Sequence, residues 1–297
     1  MVQVSTMFAH DSSPRLPLPP KRPVEIDGVV DESCRANVDF QRSWSVLSEA
    51  PTGWDCSELE PDAPSSDWCF AALFHGRKNE YLTYACVLGR RLRETSPGLD
   101  RVLLCGAGSC EDIDVRRMLV EAGWNRLLPV APIEAPHLDK TRAKRHALVF
   151  TKLRTLELPY SRVLLLDLDL FPRRDVNLKA LFEVNAPAGK YHCTHYQGPD
   201  PDHGELIPSH LQQGWAWSPN AGVMRLDPEA LLDARCNLVD SMIEDIMHRE
   251  VQTYLPEQYY LAERLADWRH IDRHWNWEVW PEWDDPNKTH PISQACD

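Results

Sequence analysis

The stretch VLLLDLDLF, from Val163 to Phe171, decides the fold. Together with Arg162 it opens RVLLL (162–166), an apolar run too continuous for a strand with one wet face, so it reads as a strand buried on both sides of a parallel sheet. Asp167 and Asp169 follow directly. In an open parallel sheet, ligands bind beyond the carboxyl ends of the strands, and i, i+2 alternation puts both carboxylates on one side of that edge. Two hard oxygen donors so placed suit Mn²⁺ or Mg²⁺, bridged to a substrate diphosphate. The competing reading makes the pair a capped turn, against which stands the cost of burying two carboxylates without partners. Two other D-x-D strings, Asp112 with Asp114 and Asp200 with Asp202, fall at a helix start and in a loop.

Upstream, WCFAALF (68–74) is a second buried strand, and Asn79 to Thr95 has helical spacing through Tyr81, Ala85, Leu88 and Leu92. RVLLC (101–105), a helix over Asp112 to Ala122, RLLPV (126–130) and a helix over 146–158 continue the alternation. Strands and helices in turn imply right-handed βαβ units, hence an α/β fold with a mainly parallel sheet. Downstream, KYHCTHY (190–196) and AGVMRL (221–226) read as strands, and Pro228 to Glu250 and Glu257 to Ala266 as helices. Residues 1–65 begin with Pro14, Pro17, Pro19, Pro20 and Pro23, which fix φ and deny backbone donors. They are expected to form a partly disordered extension, extended at its start and with a short helix around Val38 to Leu47. Residues 66–297 then make one catalytic domain.

A formal charge of −13 argues against nucleic acid and anionic membrane surfaces as partners, since both need clustered Lys and Arg. No apolar run approaches the roughly 18 residues of a membrane span, and the first residues lack the apolar stretch of a signal peptide, so the expected location is cytoplasmic. The nine cysteines include no C-x-x-C pair and read as reduced, mostly buried thiols. A homodimer is left open.

Four blocks, in order NEYLTYACVLGRRL (79–92), FTKLRTLEL (150–158), VLLLDLDLF and NAGVMRLDPE (220–229), resemble glycosyltransferase family 8, which contains glycogenin and galactinol synthase. The resemblance runs from about Trp68 to His290. It implies a single Rossmann-like, nucleotide-sugar-binding domain of the GT-A type with a mixed sheet. It also implies retaining transfer of a hexose from a UDP-sugar donor to a hydroxyl acceptor (a protein, polyol or glycan), with Mn²⁺. Tyr81 matches the family tyrosine that stacks on uracil; a core tyrosine is the plain alternative. Lys152 matches the lysine near the donor phosphates, where a preorganised cation would stabilise the departing diphosphate; otherwise it is a solvated helix residue.

Asn220, Ala221 and Gly222 match the family's N-[SA]-G turn, in which the amide reaches sugar hydroxyls and glycine lets the backbone approach the ligand. A plain strand-entry turn reads equally well. Glu257 and Gln258 stand where the family has D-Q, the acidic residue contacting the transferred sugar; an acidic residue at a helix N-terminus is also favourable by itself. His290 would be the third metal ligand, although the K-P-W block that follows the family histidine is missing. Trp268, Trp275, Trp277, Trp280 and Trp283 read as cover for a sheet edge in preference to an acceptor platform. With no carboxylate an obvious nucleophile, transfer on the face from which the diphosphate leaves is favoured, with Glu257 as the second choice, either as nucleophile or as an orienting residue. The rival functions are a sugar-nucleotide-binding scaffold without turnover and a nucleotidyltransferase. The latter should carry a glycine-rich phosphate loop, where HGRKNEY (75–81) has one glycine.

Overall fold

A computed structural model describes residues 2–4, 66–76, 79–106, 108–138, 148–193, 199–212, 217–228, 230, 238–248 and 255–279. Its strands are β1 (Val2–Val4), β2 (Trp68–Phe74), β3 (Asp100–Cys105), β4 (Arg126–Pro129), β5 (Arg162–Leu166), β6 (Leu170–Phe171), β7 (Ala188–Cys193), β8 (Trp217–Leu226), β9 (Arg269–His270) and β10 (Trp277–Val279). The α-helices are α1 (Asn79–Thr95), α2 (Ile113–Ala122), α3 (Leu238–His248) and α4 (Pro256–Arg264).

Seven strands form one mixed sheet in the order β4-β3-β2-β5-β8-β7-β9. The first four run parallel, β8 runs antiparallel to β5, and β7 runs antiparallel to β8. From β2 the chain steps outward to β3 and β4, then returns to lay β5 on the other side of β2. The strand order therefore reverses between β2 and β5, the place where open α/β sheets bind ligands beyond the carboxyl ends of their strands.

The sheet is covered on both faces, which explains why β2 is apolar throughout and β5 is apolar after Arg162. Cys69, Ala71, Leu73, Val163 and Leu165 pack with Phe150, Leu153, Met242 and Leu261 on one face. Phe70, Ala72, Phe74, Leu164 and Leu166 pack with Leu88, Leu92 and Leu119 on the other. Alternate residues of each strand thus serve opposite layers, as pleating requires.

Helices α1 and α2 approach at two glycines. Gly123, the C-cap of α2, has φ +123°, and a Cβ there would lie 2.8 Å from the Gly89 carbonyl oxygen. Trp124 follows and donates its indole N–H to Ala85 O at 2.8 Å, lying so close to Gly89 that a Cβ on Gly89 would sit 2.5 Å from Nε1. Gly89→Ala should therefore destabilise the chain by about 1–3 kcal/mol through overpacking, despite alanine's better helix propensity. Thermal melts check this; an unchanged or raised midpoint contradicts the packing.

Several elements differ from expectation. The segment expected as a helix over 146–158 is a 3₁₀ helix over Val149–Glu157, with 146 and 147 outside the described residues. Val149, Phe150, Thr151, Leu153, Thr155 and Leu156 are all buried, so packing rather than helical propensity sets its winding. Strand β8 begins at Trp217, four residues before AGVMRL, because Pro219 is accommodated beside a register shift between Gly189 and Lys190 of β7. Strand β7 spans Ala188–Cys193, and 194–198 lie outside the described residues. Val2–Val4, at the start of the expected extended tail, pairs parallel with β10 and antiparallel with β6. The short helix around Val38 to Leu47 lies outside the described residues. No described helix is long and apolar enough to cross a membrane.

Candidate active site

Strand β5 ends and the chain turns at once. Leu170 N–H donates to Asp167 O at 3.3 Å, so Asp167, Leu168 and Asp169 form a turn rather than an extension of the strand. The alternation survives: Leu168 and Leu170 are buried, while Asp167 and Asp169 are half-buried. The other D-x-D strings fall elsewhere. Asp112 caps α2 by accepting from Asp114 N, and Asp200 and Asp202 lie in the loop before Gly204.

Lys152 comes to Asp167 from the 3₁₀ segment Val149–Glu157, which covers the face of the sheet that Val163 and Leu165 serve. Its Nζ lies 2.7 Å from Asp167 Oδ1 and 3.3 Å from Glu257 Oε1, and its side chain keeps 12% exposure. A lysine amid Val149, Phe150 and Leu153 is therefore not on a wet face; it is drawn inward by two carboxylates. Burial disfavours the ammonium, but Asp167 and then Glu257 outweigh that and hold its pKa above the ordinary lysine value.

Glu257 sits in the first turn of α4, where the helix N-terminus favours a negative charge. It is 4% exposed, and its Oε2 has no hydrogen-bond partner among the described residues. Two residues earlier, Leu255 adopts φ 49°, ψ 55°, a left-handed conformation costing a non-glycine residue about 1–2 kcal/mol. The strain lies where the chain turns into α4 to present Glu257. Gln258 is buried, and its Oε1 accepts from Ala221 N–H at 3.2 Å, so it braces β8 from beneath.

On β8, Gly222 O accepts from Asp167 N–H at 2.9 Å, extending the β5–β8 pairing to the first aspartate. Asn220 Oδ1 accepts from Gly222 N–H at 2.8 Å and from Asn276 Nδ2 at 2.6 Å. These two donors fix which amide atom is oxygen. Tyr81, in the first turn of α1, is half-buried; its ring centroid lies 5.9 Å from that of His75 and 6.3 Å from that of Tyr84. Tyr84 in turn meets Phe171 edge to face. Its phenol is pushed up to about 12, first by its hydrogen bond to Glu80, and more weakly by the nearby Asp169 charge. The structure thus gathers Tyr81, Lys152, Asp167, Asp169, Asn220, Gly222, Glu257 and Gln258 around the carboxyl ends of β2 and β5. His290 lies outside the described residues, as do Trp280 and Trp283. Trp268 is fully buried in the core, and Trp275 stacks on His203.

Two residues of this neighbourhood escaped sequence reasoning. His75 is the first residue past β2, and its pKa is lowered by burial and then by Lys152, with Asp167 opposing. Its position one step beyond a strand end was the available signal. Asn276 is fully buried and reaches Asn220 across 56 residues of sequence, with no local pattern to announce it.

The donor chemistry fits a hard divalent cation: two half-buried carboxylates share one turn at the carboxyl end of β5, with a third buried carboxylate, Glu257, behind Lys152. No group of three His, Cys, Asp or Glu side chains converges on one point among the described residues. The remaining positions would thus fall to substrate oxygens, water or residues beyond those described.

No family model matches the chain. An uncharacterised protein of Acanthamoeba polyphaga mimivirus is 27% identical over 225 residues, covering 72% of this chain and 73% of its own. Among solved structures, the galactosyltransferase LgtC in complex with donor and acceptor sugar analogues aligns with a TM-score of 0.47 at 15% identity, covering 69% of this chain and 73% of that one. The apo-form glycosyltransferase GlyE of Streptococcus pneumoniae aligns with a TM-score of 0.42 at 16% identity, covering 71% of this chain and 46% of that one. Because these TM-scores lie below 0.5, the reading of the site rests on its own geometry.

Proposed function

We propose that the protein is a retaining glycosyltransferase that moves a hexose from a UDP-sugar to a hydroxyl acceptor with the help of Mn²⁺. The observation that carries this reading is the half-buried Lys152, bridging Asp167 and Glu257 at the point where strand order reverses. A cation held between the carboxylates of β5 and α4 suits a substrate that brings its own negative charge and must shed it.

Asp167 and Asp169 would hold the metal, which supplies charge neutralisation to the diphosphate as its bond to the sugar breaks. Lys152 would release part of its hold on Asp167 and donate to the same diphosphate, strengthening as charge develops there. Tyr81 would cover the base. Asn220, held from behind by Asn276, would meet sugar hydroxyls, and Gln258 would keep that segment of β8 in place through Ala221 N–H. Glu257 would orient the sugar from beneath. With Glu257 already ion-paired to Lys152, we favour attack on the face that the diphosphate leaves, the departing oxygen taking the acceptor's proton.

The test is turnover of a panel of nucleotide sugars, with and without Mn²⁺, followed by nucleoside diphosphate release and anomeric configuration. Mn²⁺-dependent release of UDP with retention supports the proposal. Pyrophosphate release would indicate nucleotidyl transfer, and binding without release would indicate a scaffold.

Asn276 gives a second test. Asn276→Asp replaces the amide donor by an acceptor facing Asn220 Oδ1, so the Asn220 amide should turn away. Donor KM is expected to rise about 10- to 100-fold, the scale of 1–3 kcal/mol for a lost buried hydrogen bond, with kcat changing far less. Equal losses in kcat and kcat/KM would place Asn276 in the chemical step instead.

A further inference from the structure

We propose that Cys105 and Cys110 are a modification site: a dithiol that closes reversibly to a disulfide by exchange with a small-molecule disulfide such as oxidised glutathione. Their sulfurs lie 2.6 Å apart. That is far inside non-bonded contact, which is already about 3.5–4.0 Å between the smaller carbon atoms. Cys105 ends β3, and Cys110 lies five residues on, before α2. Both are buried, at 2% and 1% exposure.

The turn between them is held without the sulfurs. Gly106 N–H donates to Phe74 O at 2.8 Å, Ser109 N–H donates to Gly106 O at 3.1 Å, and Ser109 Oγ reaches Phe74 O and Gly106 O. Gly108 supplies a φ of +76° to the turn. Arg116 Nη1 donates to Cys110 O at 3.0 Å from the second turn of α2. Hydrogen bonds at both ends therefore set the separation of the two cysteines before any covalent bond forms, so little backbone movement is needed to close it.

The exchange balances without further reagents. The Cys110 thiolate attacks one sulfur of the small disulfide, forming a mixed disulfide and expelling one small thiolate. Cys105 then loses its proton, and its thiolate attacks Cys110 Sγ, expelling the second. Two electrons pass from the protein dithiol to the small disulfide, and the two protons end on the released thiols. Burial and the adjacent Cys110 push the Cys105 thiol pKa up, which keeps the closing step slow while the turn stays shut. The bond would pin the turn against the end of β2, where a Cβ on Gly106 would lie 3.1 Å from His75 Cβ. It therefore borders the candidate site while standing independently of any reading of what binds there.

Trypsin releases Val102 to Arg116 as one peptide containing these two cysteines and no others. The protein is incubated folded with oxidised glutathione, and separately refolded from denaturant in a glutathione buffer so that access is not limiting. Both samples are quenched with acid, alkylated and digested. The expected product is this peptide unalkylated and lacking two hydrogen atoms, restored to the dialkylated form by dithiothreitol, while Cys69 and Cys86 are alkylated. Cys105→Ser should trap Cys110 as a stable glutathione adduct, and the oxidised wild type should melt a few degrees above the reduced form. A refolded sample in which both cysteines remain alkylatable, or carry a glutathione each, overturns the proposal.

Discussion

Replacing Asp167 and Asp169 together by alanine is expected to abolish metal-dependent turnover, by at least about 10³-fold in kcat, while the chain still folds. The two side chains lie half-buried in a turn whose backbone bond, Leu170 N–H to Asp167 O, does not involve them. The β5–β8 contact from Asp167 N–H to Gly222 O is likewise a backbone bond and survives the substitution. Lys152 keeps Glu257 as its partner. The melting temperature should therefore move by only a few degrees, and Mn²⁺ should no longer raise it. Turnover near the wild-type rate in the folded double variant would remove the metal from this turn.

Lys152→Ala separates binding from chemistry. If the ammonium stabilises the departing diphosphate, its loss should slow the chemical step about 10²- to 10³-fold and weaken donor binding far less. Stability should fall as well, because Asp167 and Glu257 would face each other across the vacated position. The loss should be on the order of 2 kcal/mol, below the roughly 3–5 of a fully buried pair, since Asp167 keeps 23% exposure to water. Lys152→Arg should restore stability more than rate, because a planar fork can hold the carboxylates without presenting a point charge to the phosphate. Single-turnover rates at saturating donor, with affinity measured by calorimetry, distinguish these outcomes. A wild-type chemical step in Lys152→Ala would make the lysine a structural clasp only.

Much of this architecture was legible in the sequence because the central strands are buried on both faces. In WCFAALF, RVLLC and RVLLL the charged residues are confined to the leading Arg101 and Arg162, the rest is apolar, and Asp167 stands where the last of them must end. The spacing of Ala85, Leu88 and Leu92 likewise announced α1. Where tertiary contacts decide, local pattern fails. The 3₁₀ winding of Val149–Glu157 answers to burial on nearly all sides, and Pro219 masked the first half of β8 because its accommodation depends on a register shift in the neighbouring strand.

The candidate site divides the same way. Asp167 and Asp169 were visible as strand-end residues; Asn220 was expected in a turn before a strand, and the structure places it inside β8, paired with Lys190 of β7. The ion pair of Lys152 with Glu257 joins positions 105 residues apart, and no local spacing could show that the lysine turns inward. Asn276 and the Cys105–Cys110 contact are further cases. The cysteines read as unrelated thiols until the turn after β3 brings them together.

The central claim is that the end of β5 binds a nucleoside diphosphate through a divalent cation, and calorimetric titration of UDP in the presence and absence of Mn²⁺ tests it most directly. The account predicts binding with Mn²⁺ that weakens at least about tenfold without it, and loss of the Mn²⁺ effect in the Asp167→Ala, Asp169→Ala variant. Equal UDP affinity with and without Mn²⁺, or a Mn²⁺ effect that persists in that variant, would contradict it.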